Sequence, residues 1–117
     1  SRLKELAGAF PEYQEWVDSI SERIVDLNVP FRDFSYYHPK QLGSASLKQV
    51  LPVLTDSNYK DLEIGEGTTA SLKFMEAAFG NISDLERQKI RTDLLIYCGQ
   101  DTGGMIDILN KLQGLVN

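Results

Sequence analysis

Tyr97 and Asp101 stand four residues apart within RTDLLIYCGQDTGGMIDILNKL, a stretch with an amphipathic helical pattern. Side chains four apart share one helix face, so a phenol and a carboxylate at these positions can address the same spot. Such a pair suits metal-dependent phosphodiester cleavage, in which the carboxylate holds a divalent cation and the phenol orients a water against phosphate. The same residues also read as structure. Tyr97 is in register with Ile90 and Leu94, which places it in a core. Asp101 precedes Thr102-Gly103-Gly104 and reads equally as the cap of a last helix, because two adjacent glycines each weaken helix by about 1 kcal/mol relative to Ala.

The elements that must position this pair follow from period and punctuation. Leu3, Leu6, Ala7 and Phe10 fall at helical spacing before Pro11, which ends one helix and opens the next at its first turn. Tyr13, Trp16, Val17, Ile20 and Ile24 continue the stripe to about residue 24, and Ile24-Val25-Asp26-Leu27 extends as a short strand. From Asn28 to about Gly43 the prolines and the absence of a period predict a loop. Ser46 caps a short helix carrying Leu47, Val50, Leu51 and Leu54, its regularity limited by Pro52. Thr68 or Thr69 caps a helix that Gly80 stops. Ser83-Asp84-Leu85-Glu86 has the Ser-x-x-Glu form of a capping box and starts a further helix through Tyr97, and a last one runs through Met105, Ile108, Leu109, Leu112 and Val116. The chain therefore reads as mainly α and as one domain over residues 1–117.

Composition and charge exclude several classes. Hydrophobic residues at 42% and charged residues at 25% match globular averages and leave no disordered tract. No apolar run approaches the roughly 20 residues of a membrane span, so no membrane role is expected and the location is read as cytoplasmic. The single cysteine, Cys98, agrees with a reducing compartment. The single histidine, His38, cannot build a zinc cluster. A net charge of −5 argues against nucleic-acid binding by bulk electrostatics. Residues 28–48, however, carry Arg32, Lys40 and Lys48 against Asp33 alone, a local balance of +2. Arg32, Tyr36, Tyr37, His38 and Lys40 set aromatics beside cations, the combination on which single-stranded nucleic acid stacks. The plainer reading of that segment is a loop pinned to the domain by its aromatics.

The segments RLKELAGAFPEY, RIVDLNVPF, SYYHPKQLGSASLKQVLPVL, YKDLEIGEGTTA and RTDLLIYCGQDTGGM resemble the C-terminal portion of a bacterial family of uncharacterised domains. That family is distantly similar to the DEDD 3′-5′ exonucleases of the RNase H-like α/β fold. By this resemblance Asp101 matches the fourth acidic metal ligand and Tyr97 its partner in a Tyr-x-x-x-Asp helix. SRLKELAGAF resembles the helix after the third acidic position, so the first three carboxylates are expected upstream of Ser1. The chain would then be a fragment, inactive alone, of a protein using Mg²⁺ or Mn²⁺, with no metal held tightly by the fragment itself. The missing sheet would be supplied by the remainder of the parent chain, and the isolated piece is expected to self-associate through exposed apolar surface.

Two Asp-x-Glu copies occur here, Asp61-Leu62-Glu63 and Asp84-Leu85-Glu86. In the exonucleases that motif lies on a buried strand, which reads as a continuous apolar run, and neither copy has one. Asp84 and Glu86 are instead expected to face the positive end of a helix dipole. Two functions thus remain open: the C-terminal part of a metal-dependent 3′-5′ exonuclease acting on single-stranded DNA or RNA, or a non-catalytic module binding nucleic acid or protein.

Overall fold

Pro11 divides the first apolar stripe into two helices, α1 (Arg2–Ala9) and α2 (Gln14–Ser21), with a 3-10 turn at Pro11–Tyr13 between them. The computed structural model describes residues 2–117 and contains no strand among them. Helices α1 and α2 pack on each other around Ala7 and Val17, the residues they bury. Phe10, Tyr13 and Trp16 remain more than half exposed.

The strand expected at Ile24–Leu27 does not form. Asp26 turns the chain instead: its carboxylate accepts the Asn28 backbone N–H at 2.9 Å, the Asx-type bond that competes with extended pairing. Pro30 then lies in the first turn of α3 (Val29–Arg32). Ile24 and Val25 are left at the surface. The predicted loop of residues 28–43 thus contains this single-turn helix and a 3-10 turn at Pro39–Gln41.

The rest of the chain packs around one long rod. Helix α4 (Leu47–Leu54) and helix α5 (Gly67–Phe79) both lie on α6 (Asp84–Val116), which runs unbroken for 33 residues. At 1.5 Å per residue such a helix is about 50 Å long, and it accounts for the 51 Å longest dimension of the molecule. The expected break after Asp101 is absent, so Asp101 is a mid-helix residue and caps nothing. The helix survives its glycines because one of them is a packing site. A Cβ at Gly104 would stand 2.9 Å from Leu51 Cδ2, so glycine lets α4 seat Leu51, which is wholly buried, against α6 without displacing that side chain.

Both ends of the α5–α6 connection obey the sequence. Helix α5 ends at Phe79 with Gly80 as its C-cap, where a Cβ would collide with the Glu76 carbonyl. At the start of α6, Ser83 Oγ accepts from the Glu86 N–H while the Glu86 carboxylate accepts from the Ser83 N–H, a complete capping box. Neither expected threonine caps α5: Glu66, two residues before Thr68, is its N-cap, and Thr68 and Thr69 lie inside its first turn.

The core comprises Phe31, Val50, Leu51, Tyr59, Ile64, Tyr97 and Ile108. It is small for the length of the chain. The radius of gyration is 17.7 Å, against about 13 Å for a compact domain of this size. The accessible surface of 8743 Å² exceeds by about a third the area that a globular protein of 13.2 kDa exposes. Much of the excess is apolar, with Leu72, Phe74, Met75 and Phe79 on α5 all more than half exposed.

Candidate functional site

Residues Ile90, Leu94, Tyr97, Asp101, Gly104 and Ile108 recur at alternating spacings of four and three along α6, which lines them up on one helix face. All but Leu94 and Asp101 are buried, and those two are half-buried. The same face therefore places a carboxylate between a tyrosine and the glycine that receives Leu51.

A second tyrosine completes the group. Tyr59, 8% exposed, comes from the turn-rich segment between α4 and α5 and donates its hydroxyl to Asp101 Oδ1 at 2.6 Å. Its segment is held to α6 by a neighbouring bond, Gln100 Nε2 to the Asn58 carbonyl at 3.2 Å. Gly65 lets the chain fold back on it, since a Cβ there would lie 3.3 Å from the Tyr59 carbonyl oxygen. The Tyr59 and Tyr97 rings are tilted against each other at 6.1 Å between centroids, and Lys48 Nζ stands 5.8 Å from the centre of the Tyr59 ring. The Tyr97 hydroxyl reaches the start of α5, 3.6 Å from where a Cβ on Gly67 would be.

Both phenols are weaker acids than free tyrosine. Burial is the first cause for Tyr59, followed by its hydrogen bond to Asp101 and the charge of that carboxylate. Burial is again first for Tyr97, and the Asp101 charge adds to it. Near neutral pH both stay protonated. Tyr59 acts there as a hydrogen-bond donor to Asp101, and neither phenol serves as a base. A carboxylate has about four acceptor positions, and the Tyr59 bond occupies one of them.

The structure thus brings Tyr97 and Asp101 together as their spacing requires, and adds Tyr59, which the sequence reading missed. Nothing periodic marks Tyr59. The usable signal was a large aromatic among the polar and glycine residues of NYKDLEIGEG. Among the described residues, no three His, Cys, Asp or Glu side chains converge as metal ligands, at Asp101 or elsewhere. These residues by themselves do not fit a bound Mg²⁺ or Mn²⁺.

The five residues singled out for nucleic acid span from the end of α3 to the 3-10 turn at Pro39–Gln41 but divide in role. Arg32 is engaged with Asp26 and Asp33, at 3.6 and 3.4 Å. Tyr36 packs edge-on against Phe31 at 5.7 Å, so it serves the core. His38 Nδ1 accepts the Lys40 N–H at 3.1 Å and the His38 N–H bonds to Gln41 Oε1, closing the 3-10 turn over the buried Gln41 side chain. Tyr37 and Lys40 remain exposed, with Tyr37 tilted against Phe34 at 5.7 Å. Of the two Asp-x-Glu copies, Asp61 and Glu63 are exposed in the loop before α5, and Asp84 and Glu86 occupy the first turn of α6.

Residues 1–46 match the family model described as a domain of unknown function, DUF2779. The whole chain aligns at 30% identity with an uncharacterised protein, UU173, of Ureaplasma parvum serovar 3. It spans only 19% of that relative's length. No solved structure matches significantly. Among the described residues no helix is long and apolar enough to cross a membrane.

Proposed function

We propose that this chain is the C-terminal part of a divalent-metal-dependent 3′-5′ exonuclease domain of RNase H-like fold, acting on single-stranded DNA or RNA. The observation that carries the reading is the convergence of Tyr59 and Tyr97 on Asp101. A carboxylate held by a neutral phenol on a buried helix face is oriented before any cation arrives, which lowers the cost of ordering a ligand. In this reading Asp101 would supply one carboxylate to a Mg²⁺ or Mn²⁺ site completed by the rest of the longer protein, Tyr97 would orient a water toward the phosphate, and Tyr59 positions Asp101 through its hydroxyl.

The shape of the molecule supports the same reading. A groove of about 420 Å³, lined mostly by apolar side chains of the Ile24–Phe31 segment, α4 and α6, lies open beside the core. The remainder of the longer protein covers it in this account, and in the isolated chain a second copy does so. The test is Mn²⁺ binding by the longer protein, followed by electron paramagnetic resonance. Asp101→Asn is expected to weaken binding at least tenfold while leaving thermal unfolding near that of wild type, because Asn can still accept the Tyr59 hydroxyl. Unchanged Mn²⁺ affinity in a folded variant would remove Asp101 from the site.

A further inference from the structure

Helices α5 and α6 form a hairpin through residues 80–83, and its two sides differ in charge. One side has a cleft of about 250 Å³ containing Lys73 and Lys89. Both lysines are already paired, Lys73 with Glu76 at 2.7 Å and Lys89 with Asp93 at 2.9 Å. The other side has a cleft of about 400 Å³ with Phe74 and Ala77 from α5 facing Arg87, Gln88, Arg91 and Leu94 from α6. No carboxylate lines it. Among the described residues neither arginine forms an ion pair, and Arg87 reaches only the Gly80 carbonyl, 3.5 Å from Nη2.

In a chain of net charge −5, Arg87 and Arg91 stand four residues apart in a cleft that no carboxylate lines. Like charges at that spacing repel on a helix, and an anion seated between them relieves the repulsion. Guanidinium forks match phosphate oxygens in pairs. Beside them Phe74, 57% exposed, offers an aromatic face of the kind on which bases stack.

We propose that this cleft binds a nucleoside phosphate, with its phosphate on Arg87 and Arg91 and its base against Phe74, either as a unit of a single strand or as a free mononucleotide. The choice of ligand rests on the nucleic-acid reading above. The test is equilibrium binding of the intact protein to a fluorescent oligothymidylate, thymidine monophosphate and inorganic phosphate. EDTA is present, so the result does not depend on a metal at Asp101. The expected result is that Arg87→Ala/Arg91→Ala weakens strand and mononucleotide at least tenfold. Phe74→Ser is expected to weaken the mononucleotide more than inorganic phosphate. Lys4→Ala/Lys111→Ala, which removes the same charge elsewhere, should change affinity less than twofold. Tight strand binding with weak mononucleotide binding assigns the cleft to a strand, and comparable affinity per nucleotide assigns it to free nucleotide. Equal losses in the two double variants, or binding of an acidic peptide with none of thymidine monophosphate, would overturn the inference. Either result would leave the Asp101 reading to its own Mn²⁺ test.

Discussion

The Tyr59 hydroxyl meets Asp101 Oδ1 at 2.6 Å across 42 positions of sequence, joining the segment before α5 to the middle of α6. A hydrogen bond to an ionised acceptor contributes more than a neutral one, about 1.5–3 kcal/mol, and the half-exposure of Asp101 discounts that through solvent screening. Tyr59→Phe keeps the ring and removes the donor. It is expected to cost about 1–2 kcal/mol, read as a lower urea midpoint at constant slope. An unchanged midpoint would mean that the bond contributes nothing net.

The same pair gives the fold an alkaline limit. Tyr59 and Tyr97 are both raised above the ordinary value of 10.0. The unfolded chain therefore loses these protons first, and the folded state holds more protons over the interval above pH 10. Their contribution is complete below that pH and is lost as pH rises through the folded values. Thermal melts between pH 8 and pH 11 should show a fall in Tm beginning near pH 10, shallower in Tyr59→Phe. Identical profiles for the two proteins would contradict the assignment.

The glycines of α6 should separate by position. Gly99 and Gly103 have nothing within 4 Å of an added Cβ, so Gly99→Ala and Gly103→Ala each gain about 1 kcal/mol of helix propensity. Gly104→Ala meets Leu51, and overpacking of this kind costs about 1–3 kcal/mol, enough to cancel or reverse the gain. Chemical denaturation of the three variants reads the difference directly, and a common sign at all three positions would refute the close seating of α4.

At the other end of α6, Ser83→Ala removes one half of the capping box and is expected to cost about 1 kcal/mol. Glu86 is held below its usual value of 4.5 by the Ser83 hydroxyl and then by the Ser83 N–H. Its contribution is therefore present above pH 4.5 and is lost as pH falls through the folded value. Helix content followed by circular dichroism should decline at higher pH in Ser83→Ala than in wild type on acid titration.

What the sequence made legible was local. Ser83 with Glu86, Gly80 and Pro11 act through their own neighbours, and each marks the boundary it signalled. Tyr97 and Asp101 share a face because a single helix carries both. The failures lie where distant residues decide. Gly103-Gly104 looked like a break, since propensity does not register that Leu51 occupies the space glycine leaves. Ile24–Leu27 looked like a strand, and the Asp26 turn decided otherwise. Tyr59 carried only the weak signal of an aromatic in a polar segment, because its partner is supplied by the fold and not by its neighbours.

In the proposed function Asp101 serves phosphodiester cleavage in the longer protein. The measurement that tests it most directly is degradation of a 5′-labelled single strand by that protein with Mg²⁺ or Mn²⁺, comparing wild type with Asp101→Asn. Metal-dependent shortening from the 3′ end that is lost in the variant is the expected result. A folded wild-type protein that leaves the strand intact, or a variant that shortens it equally well, would contradict it.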